Sequence, residues 1–355
     1  MEIKSRFNKI YVLCPANAIT GGPDALHQIV FYLNGLGINS IIAYVPNPNC
    51  NIEIPKPYNV YINSFITKEE IVDDEENLVI IPETYSYMAK EYKRAKVFIW
   101  WLSVDNNYKR SSVFYKFYYC LTFPLRYIYR NKKYKGKAKK IFLANVKKNK
   151  YSFKNEQENI SHMCASYYAL DYVGSRSKRP VYKAIEPISK KFLEQYIGQK
   201  NDLSLDNRTD VILYNPKKSD KFIIKLKNKY SDLRFFPLTG LTQDELIEKY
   251  KTSKLFIDFG PFPGAERIPK EAVLYGCAII TGKHGASAFH GDVPISEDYK
   301  FFEKHHKAVY NKIKYVLNNY NDVYKDFNEY REVVLNLETE FIKSLKKIFF
   351  INSNS

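Results

Sequence analysis

No apolar run in this chain approaches 18 residues, so nothing in it reads as a membrane-spanning helix. The opening "KIYVLCPANA" has a basic lead-in and an A-x-A-like end, but its apolar stretch covers only Ile10–Cys14. That is too short for the core of a signal peptide, and it reads as a first buried strand. Cysteine is sparse. Cys14, Cys50, Cys120, Cys164 and Cys277 are scattered, odd in number and never paired as C-x-x-C. Such usage argues against a disulfide framework or a zinc site and fits a reducing, cytoplasmic setting. The six histidines show no H-E-x-x-H spacing, and no metal site is expected. No G-x-G-x-x-G follows the first strand, which speaks against a dehydrogenase. RRM, KH and helix-turn-helix signatures are missing as well, as are internal repeats and low-complexity linkers.

A more local gap is the lack of acid between Asn106 and Asn155. That stretch holds 15 of the chain's 55 Lys and Arg and no Asp or Glu, leaving 40 basic against 38 acidic residues elsewhere. The net charge of +17 is therefore one local feature. Its centre, "FPLRYIYRNKKYKGKAKK", mixes aromatics with cations such as Arg126, Arg130, Lys132 and Lys133. An anionic membrane surface suits such a segment, each cation adding about 1 kcal/mol near the headgroups. Single-stranded nucleic acid is a rival partner, disfavoured by the missing signatures. A plain solvated loop is the third reading.

What is present is globular: 45% hydrophobic and 26% charged residues over 355 positions, enough for two domains. "KIYVLC", "SIIAYV", "NLVIIPE" and "AKVFIWWLSV" read as buried strands. Helical stretches fall between them; Leu26, Ile29, Val30 and Leu33 keep helical spacing and Gly37 closes that helix. "YSYMAKEYKRA" and "ISHMCASYYALDYV" also read as helical. The pattern then restarts with "TDVILYNPKKS", "LRFFPLTG", "KLFIDFG" and "CAIITG" as strands. "TQDELIEKYKTS" is a helix opened by Thr242 with Glu245 at the capping-box position. Alternating strands and helices imply parallel sheets covered on both faces. The expected fold is α/β, two Rossmann-like domains facing across a cleft. The first spans 1–175 with the basic insertion 106–155, the second 176–334, and a helix at 335–355 crosses back to the first.

In open α/β sheets, ligands bind beyond the carboxyl ends of the strands. The loops to examine are therefore "NAITGGPD", "PET", "SVDNN", "NPKKS", "FGPFPGAER" and "TGKHGAS". In "NPKKS", Asn215, Lys217 and Lys218 follow a strand and open a helix, where a diphosphate gains both ammonium charge and helix amides. In "GAERIPKEAVLYGCAIITG", Gly264 permits a tight turn, Pro269 suits a first helical turn, and the amides near Arg267 and Ile268 are expected to point into the cleft between the domains. Glu266 and Glu271 bracket that helix start, where carboxylates are favoured with or without a ligand. Asp24, His27, Glu83 and Asp105 sit just after strands and are the candidates for acid–base work. Each has a plainer role open to it: Asp24 as a cap and His27 as a core residue on an apolar helix face.

Taken in order, these motifs resemble the GT-B glycosyltransferases, in particular the retaining group with an E-x7-E motif and bacterial capsule and O-antigen polysaccharide transferases. "IPKEAVLYGCAII" resembles that group's "LP-x-x-EA-x-x-x-G-x-PVI" segment with one residue fewer between Pro269 and Glu271. By that resemblance Glu271 takes the place of the Glu on the donor's ribose, while the first Glu of the motif is Glu266 or is lacking. Lys217 and Lys218 resemble the group's basic pair, adjacent here where the family spaces them. "GGPDALH" is similar to its G-G-x-E-x-x-H, with Gly21, Gly22 and Asp24 in place and His27 one residue late.

The resemblance implies a nucleotide-sugar donor and a saccharide or lipid-linked saccharide acceptor in bacterial surface polysaccharide synthesis. It implies no cofactor: lysines, an arginine and helix amides replace a divalent cation, in line with the lack of a D-x-D motif. An inverting enzyme needs one of the four acid–base candidates as general base; a retaining one relies on the leaving phosphate. A relative that only binds or epimerises a nucleotide sugar, and a basic nucleic-acid-binding protein, are the competing readings.

Overall fold

The computed structural model describes residues 5–46, 51–111, 151–200 and 203–350; the expected membrane contacts Arg126, Arg130, Lys132 and Lys133 lie outside them. The chain divides into two compact units, one of Met1–Ala165, Ala169–Tyr182 and Ile348–Ser355, the other of Ser166–Tyr168 and Lys183–Lys347.

The first sheet has seven strands: β1 (Lys9–Pro15), β2 (Ser40–Val45), β3 (Phe65–Thr67), β4 (Asn77–Pro82), β5 (Lys96–Trp101), β6 (Ile160–Cys164) and β7 (Val181–Lys183). Their order is β3-β2-β1-β4-β5-β6-β7, and β3 through β6 pair in parallel. Helices α1 (Gly21–Gly35), α2 (Val104–Ser111) and α3 (Tyr167–Gly174) follow β1, β5 and β6. All six residues of β4 are buried, as a strand covered on both faces requires.

Two local readings need correction. Ile160–Cys164 is a strand rather than the start of a helix, registered from Val97↔Ile160 to Trp101↔Cys164. Its five residues are buried on both faces, so they carry neither period, and pairing with β5 decides. Glu83–Glu91 forms a 3₁₀ helix in place of an α-helix over 85–95.

The second sheet is β12-β11-β10-β8-β9, again parallel. Its strands are β8 (Thr209–Tyr214), β9 (Arg234–Pro237), β10 (Ser253–Asp258), β11 (Ala278–Gly282) and β12 (Lys300–Phe301). Around it lie α4 (Lys190–Gln199), α5 (Pro216–Lys229), α6 (Gln243–Thr252), α7 (Arg267–Leu274), α8 (His306–Asn318) and α9 (Asn328–Phe349). Helix α6 opens with the capping box its Thr-x-x-Glu spacing predicts: the Thr242 amide donates to Glu245 Oε2 at 2.7 Å and the Glu245 amide to Thr242 Oγ1 at 3.3 Å. The core centres on Leu213, Phe256, Ile257, Ile279 and Ile280, all fully enclosed.

Strand order reverses in both sheets, between β1 and β4 in the first and between β8 and β10 in the second. At such a reversal the loops on either side part and leave a crevice above the strand ends. The glycine pair and Glu83 flank the first reversal; "NPKKS" and "FGPFPGAER" flank the second.

Candidate functional site

In the second unit, Asn215 caps α5 by accepting from the Lys217 amide at 3.1 Å, and Pro216 occupies the first helical position. That fixes where the two lysines start. Lys217 is exposed, and Lys218 pairs with Glu266, the residue preceding α7. Burial holds the Glu266 carboxyl above its ordinary range, against the pull of Lys218. The ion pair therefore ties the N-termini of α5 and α7 together, the two helix starts nearest the reversal.

Gly260 makes this approach possible. A Cβ there would lie 2.4 Å from Lys218 Cβ and 3.0 Å from the Lys218 carbonyl carbon. Gly260→Ala is expected to push the first turn of α5 away, destabilising the unit by about 2 kcal/mol. Urea melts check this. A stability within 0.5 kcal/mol of wild type, a threshold of roughly the size expected of a neutral surface change, would show that the turn yields freely.

Helix α7 carries the remaining groups. Gly264 is buried in the loop before it. Glu271 is 5% exposed; its Oε1 lies 3.3 Å from Arg267 Nη2, one turn back, and its Oε2 lies 3.5 Å from the Tyr250 hydroxyl. Together with Ile268, these two charged side chains line a cavity of about 340 Å³. Its other walls are Ser189 and Phe192 at α4, Leu246 on α6, and Leu241–Gln243 in the segment after β9. The size and the mixture of apolar wall with convergent charge suit a small ligand. Asn215, Lys217, Lys218, Gly264, Glu266, Arg267, Ile268 and Glu271 thus fall on the two helix starts, and three of them line this cavity.

In the first unit, Gly21 and Gly22 open α1, whose Thr20 cap position makes no side-chain hydrogen bond. Among the described residues, a Cβ on Gly22 would meet only Leu102 Cδ1, at 3.9 Å, an ordinary contact distance. Asp24 is buried in the first turn of α1 and accepts from Gln28 Nε2 at 2.8 Å. Asp105 sits in the first turn of α2, half-buried.

His27 is placed in the plainer of the two roles open to it, that of a core residue. It is fully enclosed, Nδ1 donates to the Pro23 carbonyl at 2.6 Å, and Nε2 accepts from the Tyr44 hydroxyl at 2.7 Å. The ring stacks on Tyr58 at 4.2 Å, and burial pulls its pKa down to about 4. No lone pair is left for a substrate proton.

Glu83 is different. It lies just beyond β4, 5% exposed, and accepts from the Leu102 amide at 3.1 Å and from Asn106 Nδ2 at 2.7 Å. Burial raises its pKa to about 7, although those donors oppose the rise. A carboxyl that titrates near neutrality at a strand end has the chemistry of a general acid or base.

Sequence reasoning passed over Lys270. It is 4% exposed on α7, adjacent to Glu271 but on another side of the helix, where it lines a second cavity. A lysine beside the apolar run of "IPKEAVLYGC" is the signal that marks it.

No protein-family model matches the sequence, and no curated protein matches it in sequence. In structure the chain is similar to a sucrose-phosphate synthase from Thermosynechococcus elongatus, with a TM-score of 0.56 at 13% identity over 96% of this chain and 98% of that one. It is likewise similar to an α-glucosyltransferase solved with UDP and a 13-mer DNA containing a central A:G mismatch, with a TM-score of 0.52 at 10% identity over 96% and 100%. Two Rossmann-like units with these neighbours define the GT-B fold.

Proposed function

We propose that this chain is a glycosyltransferase that moves a sugar from a nucleotide-sugar donor to a saccharide acceptor without a divalent metal. The observation that carries the reading is Glu271, an enclosed carboxylate facing a nucleoside-sized cavity one helical turn from the Lys218–Glu266 junction. In that reading Glu271 accepts from ribose hydroxyls. The α5 and α7 amides with Lys217, Lys218 and Arg267 hold the diphosphate and stabilise the charge it gains on leaving. Glu83 is the first unit's best-suited general base. The fold neighbour solved with UDP supports a uridine nucleotide as the first donor class to try.

The acid-free basic segment favours a lipid-linked acceptor on the inner face of the cytoplasmic membrane, as in capsule, O-antigen or lipooligosaccharide synthesis. Among the described residues, no helix is long and apolar enough to cross a membrane.

The test is a melting panel of UDP, GDP, CDP, CMP, ADP and TDP on wild type and Glu271→Ala. At about 100 times its dissociation constant, a bound nucleotide stabilises by about 2.7 kcal/mol. One nucleotide is expected to do so in wild type and to lose most of the effect in Glu271→Ala. If none raises the melting temperature, the donor site is misassigned and the reading falls.

A further inference from the structure

The cavity that Lys270 lines has a volume of about 370 Å³ and lies wholly within the second unit. Successive residues on a helix point about 100° apart, so Lys270 and Glu271 serve two different cavities from one helix. Lys270 is 4% exposed and lines this cavity, where the charges of Glu186, Asp292 and Glu266 act on its ammonium. An ammonium enclosed at a cavity wall is a ready donor to any ligand that enters.

The surroundings say which ligand fits. Besides those three carboxylates, Glu329, Glu332 and Glu340 add acid to the walls. A phosphate or carboxylate ligand would meet more negative than positive charge, and a cation would meet the ammonium. A neutral, hydroxyl-bearing molecule fits both, because each hydroxyl donates to a carboxylate and accepts from an ammonium.

One wall is also built as an aromatic platform. Asp292 accepts from the amides of Tyr167 and Tyr168 at 2.7 and 2.9 Å, which fixes the Tyr167 backbone. The Tyr167 ring lies against Gly291, where a Cβ would come within 2.5 Å of it, and its hydroxyl accepts from Lys183 Nζ at 3.1 Å. Tyr167 remains 39% exposed beside the cavity.

We infer that this cavity is a second saccharide-binding site, taking a neutral sugar ring whose hydroxyls bridge Lys270 and Asp292 beside Tyr167. The inference rests on the glycosyltransferase reading and assigns the ring to the acceptor, separate from the nucleotide cavity on the other side of α7.

The test uses saturation-transfer NMR on the full chain with maltose, cellobiose, methyl β-galactoside and N-acetylglucosamine. Glucuronate, glucose 6-phosphate and spermidine are the charged comparisons. All are run with the stabilising nucleotide from the panel above present. At least one neutral sugar is expected to bind despite that nucleotide. Its affinity should drop at least about tenfold, the equivalent of 1.4 kcal/mol, in Lys270→Met. The same loss is expected in Val333→Trp, which narrows the cavity from its 36%-exposed rim without touching a charge. Both variants should keep the nucleotide's melting shift, which also shows them folded. The inference is overturned if no neutral sugar binds, if charged ligands bind better, or if both variants bind sugar as wild type does. A nucleotide shift without sugar binding removes this inference alone, whereas loss of the nucleotide shift in wild type removes the donor reading.

Discussion

Arg208→Leu is expected to lower the stability of the second unit by about 4 kcal/mol, read as a lower urea midpoint at unchanged slope. Arg208 is 6% exposed and its guanidinium donates to four carbonyls: Ser204 at 3.2 Å, Tyr250 at 3.0 Å, Ser253 at 2.9 Å and Tyr275 at 2.5 Å. Ser204 lies in the segment before β8, and the other three come from the end of α6, the start of β10 and the residue that closes α7. Gly276 makes room, at φ +95°, where a Cβ would lie 2.5 Å from Arg208 Nη2. Leucine fills part of the space but leaves buried acceptors without donors, each costing about 1–3 kcal/mol. Lysine should rescue only part of the loss, because one ammonium cannot reproduce the planar fork. Since Tyr275 closes the helix that carries Glu271, the variant should also bind nucleotide more weakly. A loss below about 1 kcal/mol, within the range of ordinary single substitutions, would mean that these carbonyls find other donors.

The second large effect is one of pH. Between pH 4.5 and about 7 the native chain keeps a proton on Glu83 that the unfolded chain has released. Stability from this group is therefore greatest below pH 4.5 and falls by about 3 kcal/mol as pH rises through 7. His27 works in the opposite sense. Its pKa drops from 6.5 to about 4 on folding, so the unfolded chain binds the proton first, and stability is lost as pH falls through that window, by about 3 kcal/mol. Burial pulls His162 down in the same direction as His27.

In wild type the two slopes oppose each other between pH 4.5 and 6.5. Glu83→Gln removes one of them. The variant should be about 3 kcal/mol more stable than wild type at pH 8 and nearly equal to it at pH 4.5, leaving a steeper acid loss. Denaturant melts at both pH values decide. Equal stability at pH 8 would show that Glu83 ionises normally in the folded chain. If Glu83 is the general base, the same variant also loses the activity that rises through pH 7.

Much of this was legible in sequence because periodicity and strand-end position are local signals. The α/β alternation, the Thr242 cap and the helices after "NPKKS" and "FPGAER" all follow from residues within a few positions of one another. Ile160–Cys164 was misread because its identity as a strand depends on β5, some sixty residues earlier. His27 was ambiguous for a related reason: only the folded chain shows that Tyr44 and Tyr58 enclose it. Lys270 and Asp292 stand 22 residues apart, and no spacing rule joins them. Pocket-forming pairs of that kind belong to tertiary structure.

Phe349 and Phe350 belong to the first unit. The Arg6 amide donates to the Phe349 carbonyl at 3.0 Å, Ser5 and Phe350 form an antiparallel bridge, and the Phe349 ring packs 5.8 Å from Phe98. The whole of Lys183–Lys347, a unit of its own, is threaded between β7 and these residues. A ribosome adding roughly 5–20 residues per second must therefore complete the second unit before the first can seal. Until then Phe98 on β5 and the chain at Ser5–Arg6 wait for their partners. Cutting the chain before Phe349 would remove the partners of Arg6, Ser5 and Phe98 together.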